Sequence, residues 1–434
     1  MKNRTPWAWV PTLYFAEGLP YVAVNTISLI MFKRFGLSNA DIAFYTSWLN
    51  FPWTIKCFWS PFVDLIKTKR WWIILMQLII GAGMGSIAFC LPSPHWFQLS
   101  MSLFWLLAFS SATHDIAADG FYMMGLNDKD QAFFVGIRNT FYRLAMISGQ
   151  GLLIFLAGYL EEIPLPNFAQ SIGHIPFAWG ATFLIMGISF IFFGIYHYNI
   201  LPKPTTDIIN PSRKAKEIFS EFWHTIKSFF HKRNSILAIV FLLFYRFSEA
   251  QLQKISPLFL LDGKNSGGLG LSTSAYATTY GVVGVVALIA GGIIGGIVIS
   301  KDGLRKWIWP MVLSLCLPNL TSIYFAYAQP GSLWIINAGV AFEQFGYGFG
   351  FTAYTLFMLQ FCKGEYQTTH YAMCTGLMAL GMMLPGMFAG DIQEFLGYQH
   401  FFIWVMICAI IPIILVALVR PKIEDKAPIA KINK

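Results

Sequence analysis

The chain has 434 residues, of which 56% are hydrophobic and 17% aromatic, while only 12% carry a charge. The charged share is roughly half of the about 25% found in soluble domains, so too few polar groups remain to cover a soluble globule. We therefore interpret the chain as an integral membrane protein. The net charge of +9 indicates nucleic-acid binding only if the positions of the charges support it.

Continuous apolar runs recur along the whole chain. A transmembrane helix needs about 20 mostly apolar residues. The runs lack the short alternation of membrane β-barrel strands, and the first is too long and starts too early to be a cleaved signal peptide. The sequence predicts an all-α protein in the lipid bilayer with twelve transmembrane helices, at about 7–32, 41–62, 71–91, 98–124, 132–160, 175–200, 236–261, 273–299, 307–328, 332–361, 371–396 and 400–420.

The Lys and Arg residues fall mainly on alternate loops, which predicts the orientation of the chain. Loops with an excess of positive charge stay in the cytoplasm. With a cytoplasmic N-terminus, that side holds 22 of the 30 Lys and Arg residues, the opposite side holds 3, and 5 lie within spans. We expect both termini in the cytoplasm. The basic balance then reflects topology, and no nucleic-acid partner is expected.

The longest cytoplasmic loop divides the twelve spans into two sets of six. We expect a six-helix bundle over 1–200, a linker over 201–235, and a second bundle with a cytoplasmic tail over 236–434. Apolar residues in the linker recur at helical spacing between lysines, which is typical of an amphipathic helix on the membrane surface. A linker helix that only tethers the bundles is the alternative. The apolar residues are Ile218, Phe219, Phe222, Trp223, Ile226, Phe229 and Phe230.

Two short basic loops, which follow the second and eighth spans, repeat each other at an offset of 236 residues. They resemble the loop signature G-x-x-x-D-[RK]-x-G-[RK]-[RK] of the major facilitator superfamily; the second copy fits, and the first lacks the glycines. Internal duplication is common in secondary transporters, so we expect two pseudo-two-fold related bundles around a central path, the major facilitator fold. We interpret six loop residues as gating residues: Asp64, Lys67, Arg70, Lys301, Asp302 and Arg305.

Five clear acids and five bases lie inside the predicted spans. Such groups are costly at bilayer depth, so each is a candidate for function with a partner of opposite charge. The equal numbers of acids and bases suggest pairing. The acids are Glu17, Asp115, Asp119, Glu249 and Glu343, and the bases are Lys56, Arg138, Arg143, Arg246 and Lys254.

Distance from the nearest turn predicts which of these charges meet. Residues equally far from a helical hairpin turn lie at the same depth, and residues three apart share a helix face. The expected pairs are Asp119–Arg138, Asp115–Arg143, Glu17–Lys56 and Arg246–Glu249. For Asp119–Arg138, near the cytoplasmic end, a structural ion pair and a functional one are both open. We interpret the deeper Asp115–Arg143 and Glu17–Lys56 pairs as functional.

Glu343 has no partner nearby in the sequence. A carboxylate alone at this depth would be protonated part of the time, as a proton-coupling site requires; a neutral Glu hydrogen-bonded in the bundle is the alternative. Gln344 and Tyr347 follow it. Glycines in spans 8 and 10 are expected to let these helices approach closely: Gly291, Gly292, Gly295, Gly296, Gly346, Gly348 and Gly350.

No motif supports catalysis. His114 has no matching nucleophile, and the phosphate-binding G-x-x-x-x-G-K-[ST] is absent. We expect no enzymatic activity, no cofactor and no metal site, which leaves a proton or sodium gradient as the energy source. The six cysteines lie in or beside apolar runs and are interpreted as small hydrophobic residues: Cys57, Cys90, Cys316, Cys362, Cys374 and Cys408.

Four segments resemble AmpG-type muropeptide permeases and the related acetyl-CoA transporter family. Residues 56–64 (KCFWSPFVD) are similar to K-F-x-W-S-P-x-x-D, and 111–120 (SATHDIAADG) to S-A-x-Q-D-I-x-x-D-[AG]. Tyr142-Arg143-Leu144 resembles Y-R-L, and 342–348 (FEQFGYG) resembles F-E-x-x-x-x-G. Two departures are His114, which replaces the usual Gln, and a span count below that of some muropeptide permeases.

The resemblance implies a proton-coupled importer of amino-sugar cell-wall fragments in the bacterial cytoplasmic membrane. Separately, we expect a monomer. The resemblance carries Lys56, Asp115, Asp119, Arg143 and Glu343 over to the family's motif positions. With the charge analysis, the expected proton-coupling residues are Asp115, Asp119, Glu343, Glu17 and Glu249. The expected residues for a small-molecule substrate are Lys56, Arg143, Arg246, Gln344, Tyr347 and Tyr142.

Two other functions stay open. One is a carrier of an acetyl-CoA-like substrate, or of another small glycan or anion, in the same superfamily. The highly anionic acetyl-CoA-like substrate would need unpaired cations facing its path, and Arg246 or Lys254 are candidates. A non-transporting membrane sensor would need a sizeable soluble domain, and the sequence contains none.

Overall fold

A computed structural model describes residues 5–204, 207, 215–364 and 366–423. These residues form helices and no β-strand, which confirms the predicted all-α class. Asp64 lies in a helix, but its side chain is outside the described part, as are those of Ile218, Phe219 and Phe222 in the linker. The predicted gating role of Asp64 therefore stays a prediction.

Nineteen α-helices run through these residues, and three π-helical turns interrupt the first, fifth and eighth predicted spans, at Ala23–Ile27, Ser148–Leu153 and Ala277–Gly284. The α-helices are α1 (Val10–Val22), α2 (Ser28–Arg34), α3 (Asn39–Trp48), α4 (Phe51–Ile66), α5 (Lys69–Cys90), α6 (Trp96–Gly125), α7 (Asp128–Ile147), α8 (Ile154–Glu162), α9 (His174–Ile200), α10 (Ala215–Phe230), α11 (Ser235–Phe244), α12 (Phe247–Leu261), α13 (Thr273–Tyr276), α14 (Val285–Asp302), α15 (Leu304–Cys316), α16 (Leu320–Ala328), α17 (Leu333–Cys362), α18 (Gln367–Cys408) and α19 (Ile410–Val419).

Eight helical segments of the described chain are long and apolar enough to cross a membrane: Pro6–Arg34, Lys69–Cys90, Gly136–Glu162, His174–Ile200, Ser235–Leu261, Thr273–Asp302, Leu304–Ala328 and Thr369–Lys422. The last has 54 residues and contains the eleventh and twelfth predicted spans. Gly397, at φ +72°, breaks α18 between them. The second, fourth and tenth predicted spans fall on α3–α4, α6 and α17, which are not among the eight. The chain is thus a multi-pass membrane protein, and the count of twelve spans stays a prediction.

The chain divides into two compact units. The first comprises Met1–Leu37, Leu49–Glu221 and Ser272–Ala277. Here α5 packs on α6 and α9, and α1 packs on α7. Its aromatic core includes Trp9, Tyr14 and Phe121. Since α13 belongs to this unit, Thr273 can donate a hydrogen bond to Glu161 at 2.8 Å, and Glu161 also binds Arg34 at 3.0 Å.

The second unit comprises Ser38–Trp48, Phe222–Leu271 and Thr278–Lys434. Its core includes Tyr245 and Tyr354, whose rings stack at 5.3 Å. Phe229 of α10 is buried in this core, while Trp223 is 57% exposed. In this unit α3 packs on α12 and α18, and Asn39 of α3 donates to Gln393 at 2.6 Å and to Tyr398 at 2.8 Å.

The two repeated loops turn by different means. In the second copy Gly303 has φ +83°, a conformation that favours glycine. Lys67 takes the corresponding position in the first copy and is extended, at φ −150°. Thr68 caps the N-terminus of the following helix α5, because its hydroxyl accepts a hydrogen bond from Trp71 N–H at 3.2 Å. Asp207 accepts two more from the first backbone N–H groups of α5. This capping explains how the first loop turns without the glycine of the signature.

Helices α14 and α17 approach closely, as the glycine pattern predicts. A Cβ on Gly291 would lie 2.1 Å from the carbonyl oxygen of Phe345, and one on Gly348 would lie 2.0 Å from that of Leu288. Each glycine thus lets the backbone of the facing helix come into contact. Gly296, one turn from Gly292 on α14, has no atom within 4 Å of a Cβ built on it.

We expect Gly291→Ala to lower the free energy of unfolding by about 1–3 kcal/mol, because the added methyl group overlaps the backbone of α17. Gly296→Ala is the matched control on the same helix. It should be neutral or stabilising, since alanine is the better helix former by about 1 kcal/mol. Thermal unfolding in detergent measures both. Equal melting temperatures for the two variants would contradict the close approach of α14 and α17.

Candidate functional site: buried charges in each unit

Asp119 of α6 forms the ion pair expected with Arg138 of α7. The guanidinium nitrogen of Arg138 lies 3.1 Å from the carboxylate, and the hydroxyl of Tyr14 donates to the same carboxylate oxygen at 3.2 Å. The guanidinium also lies over the rings of Tyr14, at 4.5 Å, and Tyr122, at 5.2 Å. Asp119 and Arg138 are therefore held by three helices of the first unit.

Asp115, one turn before Asp119, has a different partner from the expected one. Its carboxylate lies 3.8 Å from the ammonium of Lys56 and accepts a hydrogen bond from the indole of Trp53 at 3.0 Å. Trp53 and Lys56 stand three residues apart on α4, so both side chains reach Asp115 from one helix face. The predicted Asp115–Arg143 and Glu17–Lys56 ion pairs are wrong.

The error has a geometric cause. Equal distance from a turn fixes the height of two residues along a helical hairpin, but it does not fix the rotation of each helix about its axis. The side chain of Arg143 makes no ion pair within 4.0 Å with any described carboxylate. Helix α4, which packs on α6, supplies Lys56 instead. Depth alone was insufficient to choose between two bases.

Glu17 of α1 is buried without a basic partner. It is 7% exposed, and one of its carboxylate oxygens, Oε2, has no hydrogen-bond partner in the described structure. The next residue, Gly18, faces α7, where a Cβ would lie 3.0 Å from the carbonyl oxygen of Tyr142. Glu17 therefore sits at the tight contact between α1 and α7, and Tyr142 and Arg143 follow each other on the facing helix.

In the second unit, Arg246 and Glu249 form the pair expected from their spacing. Two hydrogen bonds join the guanidinium to the carboxylate, at 2.6 and 3.1 Å, and the side chains are only 8% and 3% exposed. Arg246 also donates to the hydroxyl of Tyr347 at 2.8 Å and lies over the rings of Tyr347 and Phe351. Arg246 and Tyr347, two predicted substrate-binding residues, are thus in contact.

Glu343 of α17 has neutral neighbours. Gln344 donates to its carboxylate at 3.3 Å, and Ser322 at a long 3.5 Å. The amide of Gln344 also donates to the hydroxyl of Tyr280 at 3.0 Å. Glu343 is 7% exposed and makes no ion pair within 4.0 Å in the described chain.

The ten intramembrane charges therefore fall into two groups. Six form the pairs Lys56–Asp115, Arg138–Asp119 and Arg246–Glu249. Within the described residues, the other four have no oppositely charged group within 4.0 Å. Each unit contains one such acid and one such base. These are Glu17 and Arg143 in the first unit and Glu343 and Lys254 in the second.

Several residues of these clusters were not identified from the sequence. Trp53, Tyr14 and Tyr280 each bind a predicted site residue through one polar atom. Tyr14 precedes Glu17 by three residues and Trp53 precedes Lys56 by three, so helical spacing contained a signal for both. Ser322 and Tyr280 come from other helices than Glu343, and no local spacing identifies them.

A network of buried polar side chains includes His114, the residue before Asp115. Gln77 bridges His114, at 3.0 Å, and His197, at 2.9 Å, and His197 contacts Thr12 at 3.0 Å. The side chains of Gln77, His114 and His197 are all at most 1% exposed. Three distant segments therefore meet around Gln77, which sequence spacing does not reveal.

The predicted gating residues lie at helix ends. Arg70 donates to the carbonyl oxygens of Tyr198 and Leu201. Asp302 accepts from Trp307 at 2.8 Å and pairs with Lys306 at 3.0 Å. The carbonyl oxygen of Arg305 accepts from Arg420 at 3.2 Å, and Lys67 and Lys301 are exposed.

The described residues contain no group of three His, Cys, Asp or Glu side chains suited to a metal ion. All six cysteines are free. The thiols of Cys362 and Cys374 lie 3.4 Å apart in the core of the second unit.

The sequence profile of the Major Facilitator Superfamily matches residues 12–390. The match covers most of the chain. The chain belongs to the major facilitator superfamily and is a membrane transporter, not an enzyme.

Similar proteins carry AmpG names. A putative transporter AmpG 4 of Rickettsia conorii is 24% identical, with 95% of this chain and 96% of the relative covered. The anhydromuropeptide permease of Escherichia coli is 22% identical, with 95% of this chain and 79% of the permease covered.

Solved transporter structures share the fold. A D-xylose-proton symporter matches at a TM-score of 0.72 and 11% identity, over 96% of this chain and 98% of that chain. A bacterial homologue of the lysosomal transporter Spinster, in an inward-facing and unoccupied conformation, matches at 0.67 and 16% identity, over 98% and 99%. At these identities the likeness concerns the fold alone.

We expect Arg246→Met to lower the free energy of unfolding by about 3–5 kcal/mol, because Glu249 would keep its buried charge without a partner. The double variant Arg246→Met/Glu249→Gln should recover part of this loss. Thermal unfolding in detergent gives both values.

Lys306→Gln serves as the control, since the Lys306–Asp302 pair is exposed and exposed ion pairs contribute little to stability. If Arg246→Met unfolded at the same temperature as Lys306→Gln, the Arg246–Glu249 pair would not stabilise the second unit.

Proposed function

We propose that this transporter imports amino-sugar cell-wall fragments of the anhydromuropeptide type across the bacterial cytoplasmic membrane, coupled to proton movement. The observation that carries the coupling is that two buried carboxylates, Glu17 and Glu343, have no base within 4.0 Å in the part of the chain that the structure describes. The substrate class is inferred from the name of the Escherichia coli relative, which aligns with 95% of this chain.

The five candidate acids differ in how close a positive charge lies to each carboxylate, and therefore in how readily each can take up a proton. Asp119 and Glu249 each lie within 3.1 Å of an arginine guanidinium, and that fixed positive charge favours the ionised carboxylate. Asp115 has a looser contact with Lys56, at 3.8 Å. Glu17 and Glu343 have no base within 4.0 Å among the described residues, so protonation removes a buried charge that no ion pair compensates. We therefore assign the proton to Glu17 and Glu343 in preference to the other three.

The neighbours of Glu343 suit a sugar substrate. Gln344 and Tyr280 are hydrogen-bonded to each other beside it, and amide and hydroxyl groups are the usual partners of sugar hydroxyls and acetamido groups. Tyr347 presents an aromatic ring that is held by Arg246. A change in the charge of Glu343 would alter the hydrogen bonds of Gln344 directly, which links proton uptake to substrate binding.

The proposal includes the predicted topology. We infer twelve spans, with bundles over 1–200 and 236–434 joined by the linker 201–235, both termini in the cytoplasm, and a monomeric transporter. The loop residues Lys67, Arg70, Lys301, Asp302 and Arg305 are assigned to gating. Reporter fusions to the C-terminus that are active only in the cytoplasm test the orientation.

Uptake into proteoliposomes tests the coupling. With a labelled anhydromuropeptide and an imposed pH gradient, we expect accumulation by the wild type. Glu343→Gln and Glu17→Gln should lose at least about tenfold of the gradient-driven accumulation, because an amide cannot exchange a proton. Both variants should still exchange internal for external substrate, since that step needs no net proton movement. Glu162→Gln, at an exposed position, is the matched control.

Three results would contradict the proposal. Full gradient-driven accumulation by both Gln variants would remove these residues from coupling. Accumulation driven by a sodium gradient alone would replace the proton. Binding of free coenzyme A by a transporter that does not take up the muropeptide would favour an acyl-CoA carrier. Cations without an ion-pair partner among the described residues, such as Arg143 and Lys254, would also suit that function.

A further inference from the structure

Lys254 is a base within a predicted span, and it belongs to none of the ion pairs among the described residues. It lies in the middle of α12, which packs on α3 and α18 within the second unit. Its ammonium donates a hydrogen bond to the hydroxyl oxygen of Thr46 at 3.0 Å. The hydroxyl hydrogen of Thr46 is directed to the carbonyl oxygen of Ile42 at 2.6 Å. Thr46 therefore acts as an acceptor toward Lys254.

The ammonium of Lys254 retains free donor capacity. A lysine has three N–H donors, and in the described structure only the one toward Thr46 has an acceptor. No described carboxylate lies within 4.0 Å, whereas Lys56 has Asp115 at 3.8 Å. A charge in such surroundings without a counter-ion is costly, and an anion that binds beside it would remove much of the cost.

A second donor without a partner lies next to Lys254. The hydroxyl of Ser47 is fully buried and has no hydrogen-bond partner among the described residues. Both groups face Gly386 of α18, where a Cβ would lie 3.1 Å from Cγ of Lys254 and 3.2 Å from the Ser47 oxygen. The absence of a side chain at Gly386 thus lets α18 pack closely against both Lys254 and Ser47. Lys254 itself is partly exposed.

We propose that Lys254, assisted by Ser47, binds a carboxylate of the transported substrate. The inference rests on the proposed function and deepens it, because it requires that the imported amino-sugar fragment be an anion. A carboxylate has two oxygens and can accept from the lysine ammonium and the serine hydroxyl at once. The neutral Gln344 and Tyr280 beside Glu343 then bind the uncharged parts of the substrate.

A purely structural role gives a different prediction. If Lys254 only tethers α12 to α3 through Thr46, removal of either side of that hydrogen bond has the same effect. If Lys254 binds the substrate anion, Thr46→Val leaves the cation in place and keeps the selectivity. The two variants therefore separate the roles.

The test uses two probes that differ in one charge. The first is the disaccharide of N-acetylglucosamine and anhydro-N-acetylmuramic acid, whose lactyl carboxylate is free, and the second is the same disaccharide with a carboxamide. We expect wild-type proteoliposomes to take up the acid with a KM lower than that of the amide by roughly ten- to a hundredfold, the range of one charge-assisted hydrogen bond. Lys254→Gln should take up both probes alike, while Lys254→Arg and Thr46→Val should keep the preference. Lys264→Gln, at an exposed position, is the control for loss of a positive charge.

Each outcome separates this inference from the proposed function. Uptake of neither probe by the wild type would contradict the proposed substrate class itself. Equal uptake of both probes by the wild type, or a preserved preference in Lys254→Gln, would overturn the assignment of Lys254 and leave the proposed transport function standing. Equal loss of preference in Thr46→Val and Lys254→Gln would show a structural tether and would likewise overturn it.

Discussion

The cost of placing an ion in an apolar interior governs the arrangement of this protein. In a chain that is 56% hydrophobic by composition, a buried charged side chain is tolerated when an opposite charge and further hydrogen bonds compensate it. Arg246 meets this condition through Glu249 and Tyr347, and Arg138 meets it through Asp119 and two tyrosine rings. The Asp119–Arg138 pair joins α6 to α7, and Arg246 joins the start of α12 to α17 through Tyr347. The four residues that do not meet the condition, Glu17, Arg143, Lys254 and Glu343, are the ones with free capacity for a proton or an anion.

This constraint explains why each unit contains both paired and unpaired buried charges. Paired charges hold the helices in register, and an unpaired acid and an unpaired base remain in the same unit. In the second unit the acid, Glu343, has the neutral donors Gln344 and Ser322 beside it, while the base, Lys254, has the neutral acceptor Thr46. Neutral partners leave both groups free to change state. A proton on Glu343 would neutralise its buried charge, and a carboxylate beside Lys254 would compensate the charge of the lysine. Neither change would disturb the ion pairs.

Much of the fold was predictable because the signals are strong and local. The apolar runs identify membrane helices, and the glycines of spans 8 and 10 predict the contact between α14 and α17, where no side chain fits between the backbones. The Arg246–Glu249 pair follows from helical spacing. The exchange of α3 and α13 between the two units was not predictable. It depends on contacts across large sequence separations, such as Asn39 with Gln393 and Tyr398.

The sequence predicted which charged residues belong to the candidate site better than it predicted which of them form ion pairs. The sequence indicates Asp115, Lys56 and Arg143 as buried charges, but helix rotation decides that Lys56 and not Arg143 reaches Asp115. For the same reason the neutral neighbours of Glu343 come from helices that no local pattern identifies.

The central claim is that unpaired carboxylates exchange protons while paired ones stay ionised. Infrared difference spectra of the reconstituted protein between acid and alkaline pH measure protonated carboxylic acids directly. We expect a carboxylic-acid band in the wild type that weakens in Glu17→Gln and in Glu343→Gln and is unchanged in Asp119→Asn. A band that persists in the double variant Glu17→Gln/Glu343→Gln and disappears in Asp119→Asn would contradict the central claim.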